Sequence, residues 1–448
     1  MVTLSTNIPA AAYDGVVRSL ASTYDLTVVT EWREVPRGFI CAGLRPDDAQ
    51  RLVDDPRTRI VEEDFLMSVT SSGTQWTNWN SSYLWHLDRL DEPTYATHDS
   101  TYNMCPEARE VNAYVIDVGV RANHEQFTLN EPANRVESWA FDNGSTGYQD
   151  TENGCPSNPG LTHGTMVATV LGGTTIGASK VHIVSLRIVN CSNTNFFASN
   201  VINAVRWIRS ANDPRASEPG VVNMSSGWEV DWMNNFVTLN DEVQSLVTTK
   251  DIAFFASANN YSGDACKFAP SALAYTNVNH NGTVFSVGGT SLGANGDTND
   301  YRWQEWDGGL AKLGVDSGSN GGSCVSIYAP AVDIYVGNNS SATAYSTHSG
   351  TSFSSPLAAA IGARYLSTNH SATYQQVYDY LLGVAGSSTL INNPYTPEYW
   401  MCGTTTYRTD PGVCPGNNGV NNTNVPIHFS ATSNTSNAGM LYSPMSCP

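Results

Sequence analysis

The sequence predicts an α/β protein: a mostly parallel sheet with helices on both faces, preceded by a small α+β unit. Three observations carry this reading. From Val111 to about Gly386, short apolar runs suited to strands alternate with helical stretches, as they do where crossover helices join parallel strands. One helical stretch places Val201, Ala204, Val205 and Ile208 on a single face at helical spacing. With 448 residues, 40% hydrophobic and 14% charged, the chain is long and apolar enough for one large core and a smaller one.

The small unit, residues 2 to about 70, reads strand, helix, two strands, helix, strand. Its segments are Val2-Thr3-Leu4, a helix carrying Val16, Val17 and Leu20, Leu26-Thr27-Val28-Val29, Gly38-Phe39-Ile40-Cys41-Ala42, a helix from about Asp48 to Val53, and Arg59-Ile60-Val61-Glu62. The stretch from Met67 through Gln75 to about residue 82 is small and polar, which suits a linker open to cleavage. In the larger unit the strand-like runs are Val111 to Ile116, Val184 to Val189, Val221 to Met224, Ile252 to Ala258 and Val325 to Pro330. Helices open at His163 and after Gly350, and another lies around Thr373 to Leu382. Beyond Ser387 the chain becomes a Thr/Asn/Gly-rich tail holding three cysteines.

The chemistry concentrates at three places. Gly350-Thr351-Ser352-Phe353-Ser354-Ser355, closed by Pro356, runs into Leu357-Ala358-Ala359-Ala360-Ile361 and sets a serine between a glycine-led turn and a small-residue helix. There the hydroxyl and its backbone N–H lie near the helix's positive end, where a nucleophile belongs, although Ser and Thr are also ordinary helix caps. His163-Gly164-Thr165 opens another small-residue helix, and Asp117 ends a strand where a carboxylate leaves the sheet. A serine hydroxyl is a poor nucleophile at neutral pH. It needs a base such as imidazole to take its proton and a carboxylate to hold that imidazole in the right tautomer.

In the order Asp117-Val118-Gly119, His163-Gly164-Thr165 and Gly350-Thr351-Ser352-Phe353-Ser354-Ser355-Pro356, the chain resembles the subtilisin-family serine proteases, and among them the proteinase K-like branch. The resemblance implies a catalytic Asp117, His163 and Ser352. It also implies an oxyanion hole made by the Asn259 side chain and the Ser352 N–H, with Asn260 as the donor if the alignment shifts by one. Ser225-Ser226-Gly227 corresponds to the strand that pairs with extended substrate, and Ala256-Ser257-Ala258 to a wall of the pocket for the residue before the cut. Residues 1–70 correspond to an inhibitor propeptide of ferredoxin-like architecture and 71–83 to its cleavable linker. Residues 84–390, opening at Leu84-Trp85-His86-Leu87-Asp88, match the peptidase domain, and 391–448 a tail packed on it. Disulfides Cys155–Cys191 and Cys266–Cys324 resemble those of bacterial relatives, which leaves Cys402 with Cys414 and Cys105 with Cys447.

The resemblance calls for no cofactor in the chemistry. A structural calcium is open. In proteinase K relatives a carboxylate in the segment equivalent to Cys324-Val325-Ser326 helps hold one, and Ser326 brings no charge. Asp142, Asp150 and Glu152 form an acidic loop, read as solvated with calcium as the alternative. Three other departures stand out. Val118 replaces a hydroxyl residue, Ala258 replaces a glycine before the oxyanion asparagine, and Ser226 replaces a common leucine.

Net charge of -19 argues against nucleic acid or an anionic membrane as a partner. No apolar run is long enough to span a bilayer, and nine cysteines without a CxxC spacing suit disulfides rather than zinc. Sequons such as Asn143-Gly144-Ser145 and Asn369-His370-Ser371 are expected by chance in so Asn/Ser/Thr-rich a chain. The first residues show neither a basic region nor a continuous apolar core, so a leader is not visible in them. The expectation is a secreted, monomeric serine endopeptidase made as a zymogen, with polypeptide substrates and its own propeptide as partners. Its rivals are an inert relative that binds proteins through the cleft and a restricted processing or aminopeptidase-type hydrolase.

Overall fold

The computed structural model describes residues 1–64, 66–68, 84–92, 101–131, 133–158, 160–192, 195–210, 213–215, 217–229, 237–275, 282–292, 300–303, 318–386, 399–402, 405–407, 426–427 and 440–441. The N-terminal unit comprises β1 (Val2–Leu4), α1 (Tyr13–Thr23), β2 (Thr27–Trp32), β3 (Gly38–Ala42), α2 (Pro46–Val53) and β4 (Thr58–Val61). Its sheet runs β2-β3-β1-β4 with antiparallel neighbours, the strand order of a ferredoxin-like unit. Val2, Leu4, Tyr13, Val17, Leu20, Phe39 and Leu52 give it a core of its own. After it come β5 (Leu66–Ser68) and α3 (Trp85–Asp91).

The larger unit contains β6 (Asn112–Asp117), α4 (Glu125–Thr128), β7 (Val136–Ala140), β8 (Tyr148–Gln149), α5 (His163–Gly172), β9 (His182–Arg187), β10 (Asn195–Phe197) and α6 (Ala198–Arg209). It continues through β11 (Gly220–Met224), β12 (Trp228–Glu229), α7 (Val237–Lys250), β13 (Ala253–Ser257), β14 (Phe268–Ala269), β15 (Val284–Leu292) and β16 (Asp300–Arg302). It closes with β17 (Ile327–Pro330), β18 (Ile334–Gly337), β19 (Tyr345–His348), α8 (Thr351–Thr368) and α9 (Tyr374–Gly386). The main sheet runs β16-β15-β13-β11-β6-β9-β7-β8, with β17 also on β15. Only β8 and β16 pair antiparallel.

Strand periodicity splits the core into two layers. Along β6, Ala113 and Val115 join the cluster containing Val167, Leu171, Leu357 and Ile361 of α5 and α8, whereas Tyr114 and Ile116 face Val201, Val205, Val243 and Leu246 of α6 and α7. β13 repeats the pattern, with Ala253 and Phe255 on one side and Phe254 and Ala256 on the other. Buried side chains such as Phe255 each contribute about 1.5–3 kcal/mol by leaving water. This is the subtilisin-like α/β architecture expected from the sequence.

One expectation changes. The spacing of Val201, Ala204, Val205 and Ile208 gave α6 a single buried face, yet all twelve of its residues are buried. The N-terminal unit covers its polar side. The Trp32 indole donates to Asn203 Oδ1 at 2.9 Å and lies under the Arg206 guanidinium, which also bonds Pro36 O. The Asp64 carboxylate accepts from Ser199 N and Oγ at the start of α6, and Glu62 accepts from Val237 and Thr238 N–H at 2.6 and 3.1 Å at the start of α7. Both carboxylates neutralise positive helix ends. Cys155–Cys191 and Cys266–Cys324 are bonded, and Cys105 is in a disulfide. Cys447, Cys414 and the side chain of Cys402 lie outside the described residues. In the tail, Leu441 N donates to Tyr328 O at 2.7 Å, which attaches residues 440–441 to β17.

His86 of α3 is fully buried, and burial, partly offset by the Ile176 backbone, pushes its pKa down to about 4. Because the folded value lies below the unfolded one, its contribution is complete above about pH 6.5 and is lost as pH falls toward 4. His86→Leu is therefore expected to shrink the loss of unfolding free energy between pH 7 and 4.5 by about 2–3 kcal/mol, measured by urea denaturation at both pH values.

Candidate active site

Asp117 ends β6 at the carboxyl edge of the sheet and is fully buried. His163 opens α5, and its Nδ1 lies 2.9 and 3.0 Å from the two Asp117 oxygens. What allows this approach is backbone contact between the two segments. A Cβ on Gly164 would sit 2.4 Å from Gly119 O, so only glycine lets the first turn of α5 rest on the loop after Asp117. Among the described residues no other side chain replaces the hydroxyl missing at Val118. The Val118 N–H donates to Asp117 Oδ1 at 2.7 Å, and the Val118 side chain joins the core.

Ser352 is the second residue of α8, where helix N–H groups have no intrahelical partner. Pro356, four residues on, has no N–H for Ser352 O, and the Ser225 hydroxyl donates to that oxygen instead at 2.8 Å. Asn223 Nδ2 donates to Ser225 Oγ at 2.9 Å, and Ser355 Oγ to Asn223 Oδ1 at 2.7 Å, so a buried polar chain ties α8 to β11. Ser352 Oγ itself donates to Ser225 O at 3.2 Å, while His163 Nε2 is buried without a hydrogen-bond partner. Phe353 stands between two imidazoles, its ring 6.4 Å from those of both His163 and His348. Burial and the neighbouring His163 push the His348 pKa down.

Asn259, directly after β13 and Ala258, has φ of 72°, a left-handed conformation that costs a non-glycine residue energy. Its carboxamide lies against Gly227, where a Cβ would come within 2.7 Å of Asn259 Nδ2. Asn260 faces α8 instead, its Oδ1 accepting from Thr351 N at 2.9 Å and Thr351 Oγ1 at 2.7 Å. Ala256 and Ser257 are buried in β13, and the Ala258 methyl packs in a small cluster with Ala265, Val325, Tyr328 and Met440. Ser226 is buried as well. The structure adds an edge that sequence reasoning passed over. β10 pairs antiparallel with β5, with Asn195 opposite Ser68, Phe196 opposite Met67 and Phe197 opposite Leu66. Its one sequence signal is the Phe196-Phe197 pair just before a small-residue helix.

The subtilase family model matches residues 110–423. The chain belongs to the subtilase family of serine peptidases. It is 31% identical to alkaline serine exoprotease A of Vibrio alginolyticus across 81% of this chain, a match spanning 57% of the Vibrio protein. It is 28% identical to an extracellular serine proteinase of Thermus sp. across 79% of this chain and 72% of that one. A solved structure described as a cold adapted subtilisin-like serine proteinase superposes with a TM-score of 0.50 at 30% identity, covering 67% of this chain and 90% of that one.

In this subtilase two carboxylates of the acidic loop are not solvated, whereas the third, Glu152, is exposed. Asp142 and Asp150 are buried because Arg187, fully buried in β9, bonds both, with Nε 2.9 Å from Asp150 Oδ2 and Nη1 3.0 Å from Asp142 Oδ2. Tyr148 Oη donates to the other Asp142 oxygen at 2.7 Å. These carboxylates are spent on Arg187, and among the described residues no group of three or more His, Cys, Asp or Glu could hold a metal ion. The segment at Ser326 does not fit calcium either. Its hydroxyl donates to Tyr275 O at 2.6 Å and accepts from Ser286 N at 3.2 Å, so a neutral hydroxyl already occupies the peptide oxygen it faces. Arg187→Leu would leave two carboxylates buried without their cation. A loss of about 3–5 kcal/mol is expected in chemical denaturation, with partial recovery in Arg187→Lys.

Proposed function

We propose that this subtilase is a secreted, monomeric serine endopeptidase made as a zymogen, hydrolysing polypeptides through an acyl-enzyme on Ser352. The observation that carries the reading is the buried Asp117–His163 pair, whose Nε2 is left without a partner and whose ring lies 6.4 Å from that of Phe353, the residue after Ser352. In the reaction the Ser352 hydroxyl exchanges its bond to Ser225 O for one to His163 Nε2. The base takes the proton as Oγ attacks the scissile carbonyl carbon. Asp117 holds the tautomer and stabilises the imidazolium without taking the proton. Asn259 Nδ2 and the Ser352 N–H receive the oxyanion, and the imidazolium then protonates the leaving amine as the C–N bond breaks. Water, deprotonated by the same imidazole, releases the acid and restores Ser352.

Residues 1–70 act as the intramolecular inhibitor and chaperone, and 71–83 as the segment cut. Support comes from β5, which adds as a strand to β10, and from the two helix-end carboxylates Glu62 and Asp64. The segments Ser225-Ser226-Gly227, directly after β11, and Ala256-Ser257-Ala258, at the end of β13, then receive substrate once that tail leaves. Secretion is supported by the disulfides and by the extracellular relative from Thermus.

Intact masses after refolding test this. Wild-type protein is expected to lose an N-terminal piece ending between about residues 67 and 82, and Ser352→Ala to remain full length. Processing of both proteins at one site, or of neither under folding conditions, would remove Ser352 from the mechanism. Cuts confined to the amino terminus of an unfolded protein substrate would replace the endopeptidase reading with the exopeptidase one.

A further inference from the structure

A second asparagine connects the two sides of the oxyanion hole. Helix α8 begins after Gly350, which has no side chain to cap it, and the first N–H is met instead by Asn260, 91 residues away in sequence. Asn260 Oδ1 accepts from both the Thr351 N–H and the Thr351 hydroxyl, at 2.9 and 2.7 Å, and Thr351 is fully buried. The loop carrying Asn260 is itself held, since Asn320 N donates to Asn259 O at 2.9 Å and Asn320 Oδ1 accepts from Tyr261 N at 3.0 Å. The other bonds on the first turn of α8 come from elsewhere. Ser225 and Asn223 belong to the β11 segment, and Ser354 Oγ donates to Ala329 and Pro330 of β17.

We propose that Asn260 is a positioning residue for hydrolysis: by clamping Thr351 to the residue beside Asn259, it fixes the separation of the Asn259 amide and the Ser352 N–H. The path between the two donors is one peptide bond from Asn259 to Asn260, one shared acceptor to Thr351, and one peptide bond to Ser352. The left-handed backbone at Asn259 lets consecutive side chains serve opposite partners, one toward Gly227 and one toward α8. Oxyanion donors act only within a few tenths of an ångström of their place, and a misplacement of about 1 Å costs about 100-fold in rate. Without Asn260, β11 and β17 still hold the helix, and its registry with Asn259 loosens.

This inference rests on the serine-hydrolase reading, and the test separates the two. Active wild-type protein, Asn260→Ala, Thr351→Ser, Thr351→Val and the Asn260→Ala/Thr351→Val double variant are compared on a chromogenic peptide and with a peptide boronate, whose tetrahedral serine adduct places an oxygen between the two donors. Asn260→Ala is expected to lower kcat about 10- to 100-fold with KM within about 3-fold, and to weaken boronate binding by the same factor. Thr351→Ser, which keeps both donors, stays near wild type. Thr351→Val falls less than Asn260→Ala, and the double variant is no worse than Asn260→Ala alone. Wild-type kcat and boronate affinity in a folded Asn260→Ala would overturn the clamp alone, as would a rate loss matched only by lost folded protein in thermal melts. Absence of both cleavage and organophosphate labelling of Ser352 in wild type would overturn the hydrolase reading and the clamp with it.

Discussion

The site depends on a backbone contact between two glycines. The Asp117–His163 bond can form only if α5 starts against the loop that leaves β6, and Gly164 over Gly119 is what permits it. Any side chain at 164 would push the imidazole away from a carboxylate that has no solvent to fall back on, since Asp117 is fully buried. A buried carboxylate that loses its partner costs several kcal/mol, so the fold and the Asp117–His163 pair are secured by the same approach. Parallel strands place the C-terminal ends of β6, β11 and β13 along one edge, and the remaining groups gather there because the sheet ends there.

Helix α8 shows how unmet hydrogen bonds become positioning devices. Pro356 withholds a donor from Ser352 O, Gly350 withholds a cap from Thr351, and a helix start always leaves N–H groups unpaired. Each gap is filled from a different element: Ser225 takes the carbonyl and Asn260 takes the first N–H. In the proposed mechanism the Ser352 N–H serves a substrate oxygen. A self-capped helix would have been as stable, but it would not have been fixed to β11 and to the Asn259 loop together.

The N-terminal unit uses the same physics on a larger scale. Glu62 and Asp64 sit at the starts of α7 and α6, and the Arg206 guanidinium lies over the Trp32 ring. Arg206 and Arg209 both pair with Glu242, a buried cluster in which two guanidiniums share one carboxylate. Helix α6 is therefore buried on both sides while its sequence still reads as amphipathic. Its polar face is made for a partner that lies in the same chain.

The sequence by itself determined the fold class and the order of elements along the first unit, and it nominated the residues proposed to carry the chemistry. Strand and helix periods follow from local burial, and Asp117, His163 and Ser352 sit in motifs whose glycines and small residues are written locally. Two disulfides could be assigned from the resemblance alone. Tertiary structure decided what no local pattern encodes. Asp142 and Asp150 looked solvated because Arg187, which buries them, lies 37 residues beyond Asp150 on a strand that otherwise reads as apolar. Asn259 and Asn260 are adjacent and chemically identical, so the choice of Asn259 as donor rested on the family resemblance, with Asn260 as the alternative. Their different partners, Gly227 and Thr351, come from segments brought together only when the sheet closes over α8. Hydrogen bonds and ion pairs act over about 3 Å whatever the distance along the chain, so those between distant segments cannot be seen until the chain has folded.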